Sequence, residues 1–429
     1  MATLKHPKHF MKTLVFLLAF LVPFISFAQD GYKEIKGEVE SQETNNEIAA
    51  ATITIVGTNI STVTNTDGDF LLKVPTEYLA GQILVKAIGH NQQLLKIPVD
   101  GKEMKIALTP SSINLNEVNV VTYKNAKELV KKVFDQKKDN YLSDKTVMTA
   151  FYRETIKKRN RNASLAEAVV NIHKEPYASN FKDEISLIKS RKNTDYSRLD
   201  TIALKLQGGP FSTLYVDVMK YPEYIFTPNT MEAYEFRFGE KTEIDNKMVY
   251  TVDFRQRADV VTPLYEGKLY INGSSLALVK ATYNLNITDN IEVVKMFVKR
   301  KPNDVRIKPR NISYEVNYRQ KNGKWYYGYS NAELSFEVRK RRSIFKSVYT
   351  LSCEMAVTDW EIATNTNLAA GANISESIIM ADQSSGFSDP EFWGEYNVIE
   401  PEKSIESAIR KIQRRLEKSD TQGSGLGGK

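Results

Sequence analysis

GTNISTVTNTDGDFLLKVP, residues 57–75, sets Asn65, Asp67 and Asp69 around Gly68. Reading those four residues separates a metal loop from a turn in a β fold. In a calcium loop of the EF-hand type the glycine is sixth and the first position supplies a carboxylate. Counting back from Gly68 puts Val63 first, and valine has no side-chain oxygen to offer. What remains is Asp67-Gly68 between two alternating runs, Ile60, Thr62 and Thr64 before it and Phe70, Leu72 and Val74 after it. Asp-Gly tolerates the positive φ of tight turns, so the pattern predicts a β-hairpin and no metal site.

Working outward, the same short alternation recurs at Ile35, Gly37 and Val39, at Ile53 and Ile55, at Ile83, Val85 and Ala87, and at Met104, Ile106 and Leu108. Short strands separated by turn residues predict a β-sandwich. The residues IKGEVESQETNNEIAAATITIVGTNISTVTNTDGDFLLKVP resemble the carboxypeptidase-regulatory-like domain, with LNEVNVVTY at 115–123 similar to its exit strand. That resemblance implies a transthyretin-like, Ig-like sandwich over residues 32–121, of the kind found at the N-termini of TonB-dependent outer-membrane receptors.

Before this domain, Lys12 precedes an apolar run from Leu14 to Phe27 that closes on Ser26 and Ala28, the layout of a secretory signal over residues 1–28. Met1 or Met11 could be its start. An uncleaved anchor is the alternative, but Pro23 interrupts the run, which falls short of the roughly 20 residues that span a bilayer. Removing Lys5, Lys8 and Lys12 lowers the formal charge from +7 to +4, too little to imply nucleic acid. Cys353 is the only cysteine, so an exported chain of this length is held by its cores and not by disulfides.

After the sandwich, Asn125 and Glu128 mark a helix start, and Ala126, Leu129, Val130, Val133 and Phe134 share one face. This predicts a linker helix within residues 122–144 that docks on the second domain, a detachable partner-binding peptide being the other reading. Residues 145–418 are mostly alternating strand, for example Ile312, Tyr314, Val316 and Tyr318 against Ser313, Glu315, Asn317 and Arg319. One wet and one dry face predict a large antiparallel sheet. Phe211, Leu214, Tyr215, Val218 and Met219 follow Pro210 at helical spacing and predict a helix over 210–221 that covers the dry face or an apolar ligand there. YEGKLYINGSSLALVKATYNL has the strand-turn-strand form of lipoprotein carriers, and this likeness implies a half-barrel α+β domain. Residues 361–389 carry no clear pattern, Ile405, Ala408, Ile409, Ile412 and Leu416 form a last helical stripe, and residues 419–429 are an unstructured tail by composition.

The residues offer little for catalysis. Only His90 and His173 lie beyond the signal, and neither belongs to an HExxH or HxxE string that a zinc peptidase would need. There is no GxSxG, and Cys353 has apolar neighbours at alternate positions that would keep its thiol protonated. Paired carboxylates stay open, because spacing along the chain does not give separation in space. Three basic clusters stand out: KKRNR at 157–161, VKRKPNDVRIKPR at 298–310, and Arg339, Lys340, Arg341 and Arg342. They read as strand-end charges that blunt sheet edges or as contacts to an anionic surface such as lipid headgroups.

These readings predict a mainly β, non-enzymatic binding protein of the cell envelope, exported to the periplasm and acting at or near the outer membrane. No cofactor or metal is expected. The expected partner is an envelope protein, an outer-membrane component or lipid, with no nucleic acid and no membrane span after signal removal. The alternative is a carrier that holds an apolar ligand in the half-barrel. A small outer-membrane barrel is a third reading, disfavoured by the ending GLGGK and by Glu and Lys on the polar strand faces.

Overall fold

Two sheets form first in the chain. The computed structural model describes residues 31–111, 123–159, 161–194, 208–244, 247–287, 289–298, 303–364, 372–380 and 391–407. The signal-like leader, most of 115–123, the helical stripe from Ala408 and the tail lie outside the described residues. Strands β1 (Tyr32–Ser41), β4 (Asp69–Pro75) and β7 (Met104–Leu108) make one sheet in the order β4-β1-β7. Strands β2 (Thr52–Ile55), β3 (Ser61–Val63), β5 (Gln82–Lys86) and β6 (Gln93–Lys96) make the other, in the order β3-β2-β5-β6. Alternation turns Ile35, Val39 and Leu72 of the first against Ile53, Ile55 and Val85 of the second, in a core that excludes water.

The turn at Gly68 is real, with φ at 77°, and a Cβ there would come 2.7 Å from the Val39 carbonyl oxygen. It does not close a hairpin, however. β3 pairs with β2 and β4 pairs with β1, so the turn carries the chain from one sheet to the other. Alternation on both sides of an Asp-Gly fits either connection, and which sheet each strand joins is decided by distant partners.

The rest of the chain builds a 12-stranded antiparallel sheet. Helices α1 (Ala126–Asp135) and α2 (Lys137–Asn140) lead into β8 (Thr146–Lys158), β9 (Arg161–Lys174) and β10 (Glu184–Thr194). The chain then crosses to the far edge through α3 (Pro210–Leu214) and α4 (Pro228–Met231). It returns as β11 (Tyr234–Phe238), β12 (Thr242–Ile244), β13 (Lys247–Gln256), β14 (Tyr265–Asn272) and β15 (Leu278–Leu285). After α5 (Asn290–Phe297) come β16 (Val305–Lys321), β17 (Lys324–Lys340), β18 (Lys346–Ile362) and the short β19 (Ala372–Asn373). The strand order β11-β13-β14-β15-β16-β17-β18-β8-β9-β10-β19 shows that the last long strand, β18, joins the first, β8. Asn322 and Gly323, both at positive φ, make the two-residue turn between β16 and β17 that the sequence predicts.

Joining β18 to β8 forces the connection between β10 and β11 to pass over one face of the sheet. That connection is the expected cover, but its helix is short. α3 spans five residues, and from Tyr215 to Tyr221 the chain continues through tight turns, with Asp217 N–H bonded to Leu214 O and Tyr221 N–H to Asp217 O. Gly208 and Gly209 precede it at φ 109° and 49°, and a Cβ on Gly209 would lie 2.9 Å from both Ile378 and Met380. The sheet curves around this segment into a half-barrel. Lys174 on β9 and Tyr318 on β16, several strands apart in the sheet, both reach Asp217 inside it.

α1 docks on the same core through Ala126, Leu129, Val130 and Val133, and Asn125 caps it by accepting from Lys127 and Glu128 N–H. The segment from 361 onward also has a place: Asn373 pairs with Ser186 at the sheet edge, and Met380 is buried beside Gly209. Because Leu214 is wholly buried in this core, Leu214→Ala is expected to lower stability by about 2–5 kcal/mol in denaturant unfolding. A loss within about 0.5 kcal/mol would show that the segment is not tightly packed.

Candidate binding surfaces

On the concave side, Phe211, Leu214, Val218 and Met219 are buried against the sheet and Tyr215 is half-buried at its margin. In their midst stands a charged cluster. The Lys174 ammonium donates to Asp183 at 2.7 Å and to Asp217 at 2.8 Å, all three side chains being almost wholly buried. Tyr177 and Tyr318 donate to Asp217 at 3.1 and 2.8 Å, and Tyr221 donates to Asp183 at 2.7 Å. Burial alone would lower the Lys174 ammonium, but Asp183 and Asp217 outweigh it and hold the group above its ordinary value.

Burial, and then the aspartate charges, also push the Tyr177, Tyr221 and Tyr318 hydroxyls up. The cluster pins segment 217–221 to strands β9 and β16 and to the loop at Asp183. Neither residue is singled out by a motif, yet the sequence carries a signal: Lys174 falls in phase with the apolar Ala166, Ala168, Val170 and Ile172, and Asp217 interrupts the stripe LYVDVM.

Part of the convex side is covered too. The stretch 57–75 is where the sandwich docks: Asn59 donates to Trp360 O at 2.7 Å, Thr62 to Val398 O at 3.1 Å and Asn65 to Glu400 O at 3.1 Å. In return Arg319 donates to Ser61 Oγ at 2.7 Å, and Lys403 N–H donates to Asp67 Oδ2 at 2.9 Å. Val63 and Leu71 pack with Phe151, Val169, Tyr329 and Trp393. Asn65 Oδ1 accepts from Asp67 and Asp69 N–H at 2.9 Å each, so Asn65 and Asp67, two of the three side chains that suggested calcium, are engaged by protein donors. Among the described residues no group of three His, Cys, Asp or Glu side chains could hold a metal ion.

Arg153 clamps the segment after Trp393 from beneath, bonding Glu167 at 2.8 Å, Glu354 at 3.2 Å and the Ile399 carbonyl at 2.7 Å. Arg191 reaches the other oxygen of Glu167 at 2.8 Å and stacks over Trp393. Burial would raise Glu167, but Arg153 and Arg191 prevail and hold its carboxyl below the usual range.

His173 is half-buried, where the alternation predicts a wet face. Its Nε2 lies 3.0 Å from Ser186 Oγ, but Ser186 is wholly buried and His173 Nδ1 has no hydrogen-bond partner to orient the ring. The pair is at hydrogen-bond distance, but the serine is closed to a substrate and no third group orients the ring, as nucleophile activation would need. His90 bridges to Pro110 with Nδ1 3.2 Å from Ile88 O. Cys353 is buried on the concave face, its thiol pushed up to about 12 by burial. Arg339 and Lys340 end β17, and Arg341 and Arg342 continue into the exposed turn before β18.

Removing the cation from the buried cluster leaves two carboxylates without compensation, so Lys174→Met is expected to cost about 3–5 kcal/mol in equilibrium unfolding. Loss of under about 1 kcal/mol would contradict the anchoring role. Lys174 and the three tyrosines bind their protons more tightly folded than unfolded. Their stabilisation is therefore complete below a pH of about 10 and is lost as the pH climbs above it toward the folded values.

No curated protein matches the chain. Solved structures similar to it include a DUF1329 family protein from Desulfovibrio piger, 9% identical over 56% of this chain and 92% of that one, with a TM-score of 0.22. A LolA superfamily protein from Nitrosomonas europaea is 8% identical over 58% of this chain and 99% of its own, TM-score 0.22. MucB, solved in complex with MucA, is 10% identical over 56% of this chain and 100% of its own, TM-score 0.17. Scores this low carry no argument about this chain. The sandwich is different: residues 35–120 match the family model of the CarboxypepD_reg-like domain, and the N-terminal part of the chain is a carboxypeptidase-regulatory-like domain.

Proposed function

We propose that this chain is an exported, non-enzymatic binding protein of the cell envelope whose partners meet its outer surfaces. In this reading residues 32–121 and 145–418 are the two working domains, joined through 122–144. The observation that carries it is the filled half-barrel. Leu214, Val218 and Met219, nearly or wholly buried, occupy the ground that an apolar ligand would need, and Lys174 with two aspartates ties down the segment that bears them.

A carrier wants an enclosed, mostly apolar cavity of some 300–1,000 Å³. The cleft of about 610 Å³ beside Phe211 is instead lined by Lys145, Glu175, Lys182, Glu184 and Glu376 as well as by Phe181, Ile185 and Ile374, so that charge stands along its walls. An acyl chain would meet that charge. No helix of the described residues is long and apolar enough to cross a membrane, which fits a protein that touches its partners from the aqueous side.

The purified protein is expected to take up no fluorescent fatty acid, and native mass spectrometry is expected to find no co-purified lipid. Stoichiometric uptake, or a lipid that survives purification, would restore the carrier reading in place of this one.

A further inference from the structure

The described residues of the three basic clusters, far apart in sequence, meet at one end of the large sheet. Val305 and Arg306 at the start of β16 stand opposite Lys340 and Arg339 at the end of β17. Arg339 is in turn opposite Lys346, which opens β18. The β8–β9 hairpin arrives at the same place: Lys158 is opposite Tyr349, and Arg159 donates from its backbone to Val348 O at 3.0 Å and from its guanidinium to Lys346 O at 2.8 Å. Arg306, Arg339 and Lys346 therefore form a row of like charges across three strands, all exposed. Directly opposed like charges destabilise a sheet, and a bound anion reverses the sign of that contribution.

At the tip of the β17–β18 hairpin, among these cations, stand Ile344 and Phe345, 82% and 73% exposed. The tip is ordered. Arg339 Nε donates to Ser343 O at 2.9 Å, Phe345 N–H donates to Ser343 Oγ at 3.1 Å, and Ser343 N–H donates to Lys340 O at 2.9 Å. Arg341 N–H holds the tip to Asp304 O at 2.6 Å. Two large apolar side chains are thus presented to water by a backbone that is already fixed, so immobilising them on a partner adds little ordering cost.

We infer that this end of the sheet seats on an anionic lipid bilayer, with Ile344 and Phe345 entering the boundary between headgroups and acyl chains. The surrounding arginines and lysines bind the lipid phosphates. A bilayer offers apolar depth and a plane of negative charge together, and an adjacent apolar pair on a convex tip needs no shaped pocket to receive it. The acidic residues of the patch, Asp304 and Glu337, the latter paired to Lys346 at 2.9 Å, are outnumbered by Arg306, Arg339, Lys340, Arg341, Arg342 and Lys346. This inference rests on the binding reading above and names its partner.

The test uses the full chain in co-sedimentation with vesicles of phosphatidylcholine alone and of phosphatidylcholine mixed with phosphatidylglycerol. The protein is expected to sediment with the mixed vesicles only and to be released by high salt. Ile344→Ser with Phe345→Ser is expected to weaken that binding by about tenfold or more, and Arg341→Glu with Arg342→Glu to remove it. Phe345→Trp supplies a second reading, a blue shift of its emission on the mixed vesicles.

All four of these positions are exposed, and circular dichroism checks that the variants keep the fold. Absence of binding to the mixed vesicles, or equal binding to both kinds, overturns the inference. So does an unchanged affinity of the serine variant, which would leave a purely electrostatic patch suited to an acidic protein. A protein that ignores vesicles and also takes up no fatty acid would lose this inference while keeping the binding reading.

Discussion

A sheet of this size has a dry face that must be sealed, and the structure depends on the chain sealing it with its own connection. Once β18 pairs with β8, the segment between β10 and β11 has to cross the concave face, and its side chains become part of the core. Apolar contact supplies most of the attraction. The Lys174 cluster contributes something else. A buried ion pair seldom adds net stability over an apolar equivalent, but Asp217 accepts in one register only, from Lys174, Tyr177 and Tyr318. It fixes where turns too short for a helix must lie.

Part of the outer face of the same sheet, around β8 and β18, is sealed by different means. The regulatory-like sandwich uses the polar half of the stretch that first looked like a metal loop: Asn59, Thr62 and Asn65 donate to carbonyls of the large sheet and of the segment after Trp393, Ser61 accepts from Arg319, and the Thr58 carbonyl accepts from Lys321. Val63 and Leu71 close the apolar centre of that contact. Strand β8 is consequently dry on both faces, with Tyr152 turned inward and Phe151 and Arg153 outward. Outer-face residues of the strands beyond this contact, such as Asp253, Arg255 and Lys268, stay open to water, and the basic hairpins gather at one end of the sheet.

Much of this was legible in the alternation of single strands, because a period of two reports which side chains share a face whatever the partners are. The shared face of Ile312, Tyr314, Val316 and Tyr318 is legible in that way. What alternation cannot report is pairing. Asp67-Gly68 was legible as a turn, but the separation of β3 and β4 into different sheets depends on β1 and β2. The helical spacing from Phe211 to Met219 was legible as a buried face, but Asp217, held from three directions, bends the chain into turns after Leu214. Each basic cluster alone looked like an ordinary strand end, and only the register of β16, β17, β18 and β8 brings them to one place.

Segment 211–221 is a permanent part of the half-barrel core. Native-state hydrogen exchange resolved at single amides tests this most directly, since local opening and global unfolding give different exchange free energies. The account predicts that the amides of Tyr215, Asp217 and Tyr221 exchange only with global unfolding, together with the central strands β8 and β17. Exchange of those amides through a separate, lower-energy opening, while β8 and β17 stay protected, would contradict it and reveal a lid over a cavity.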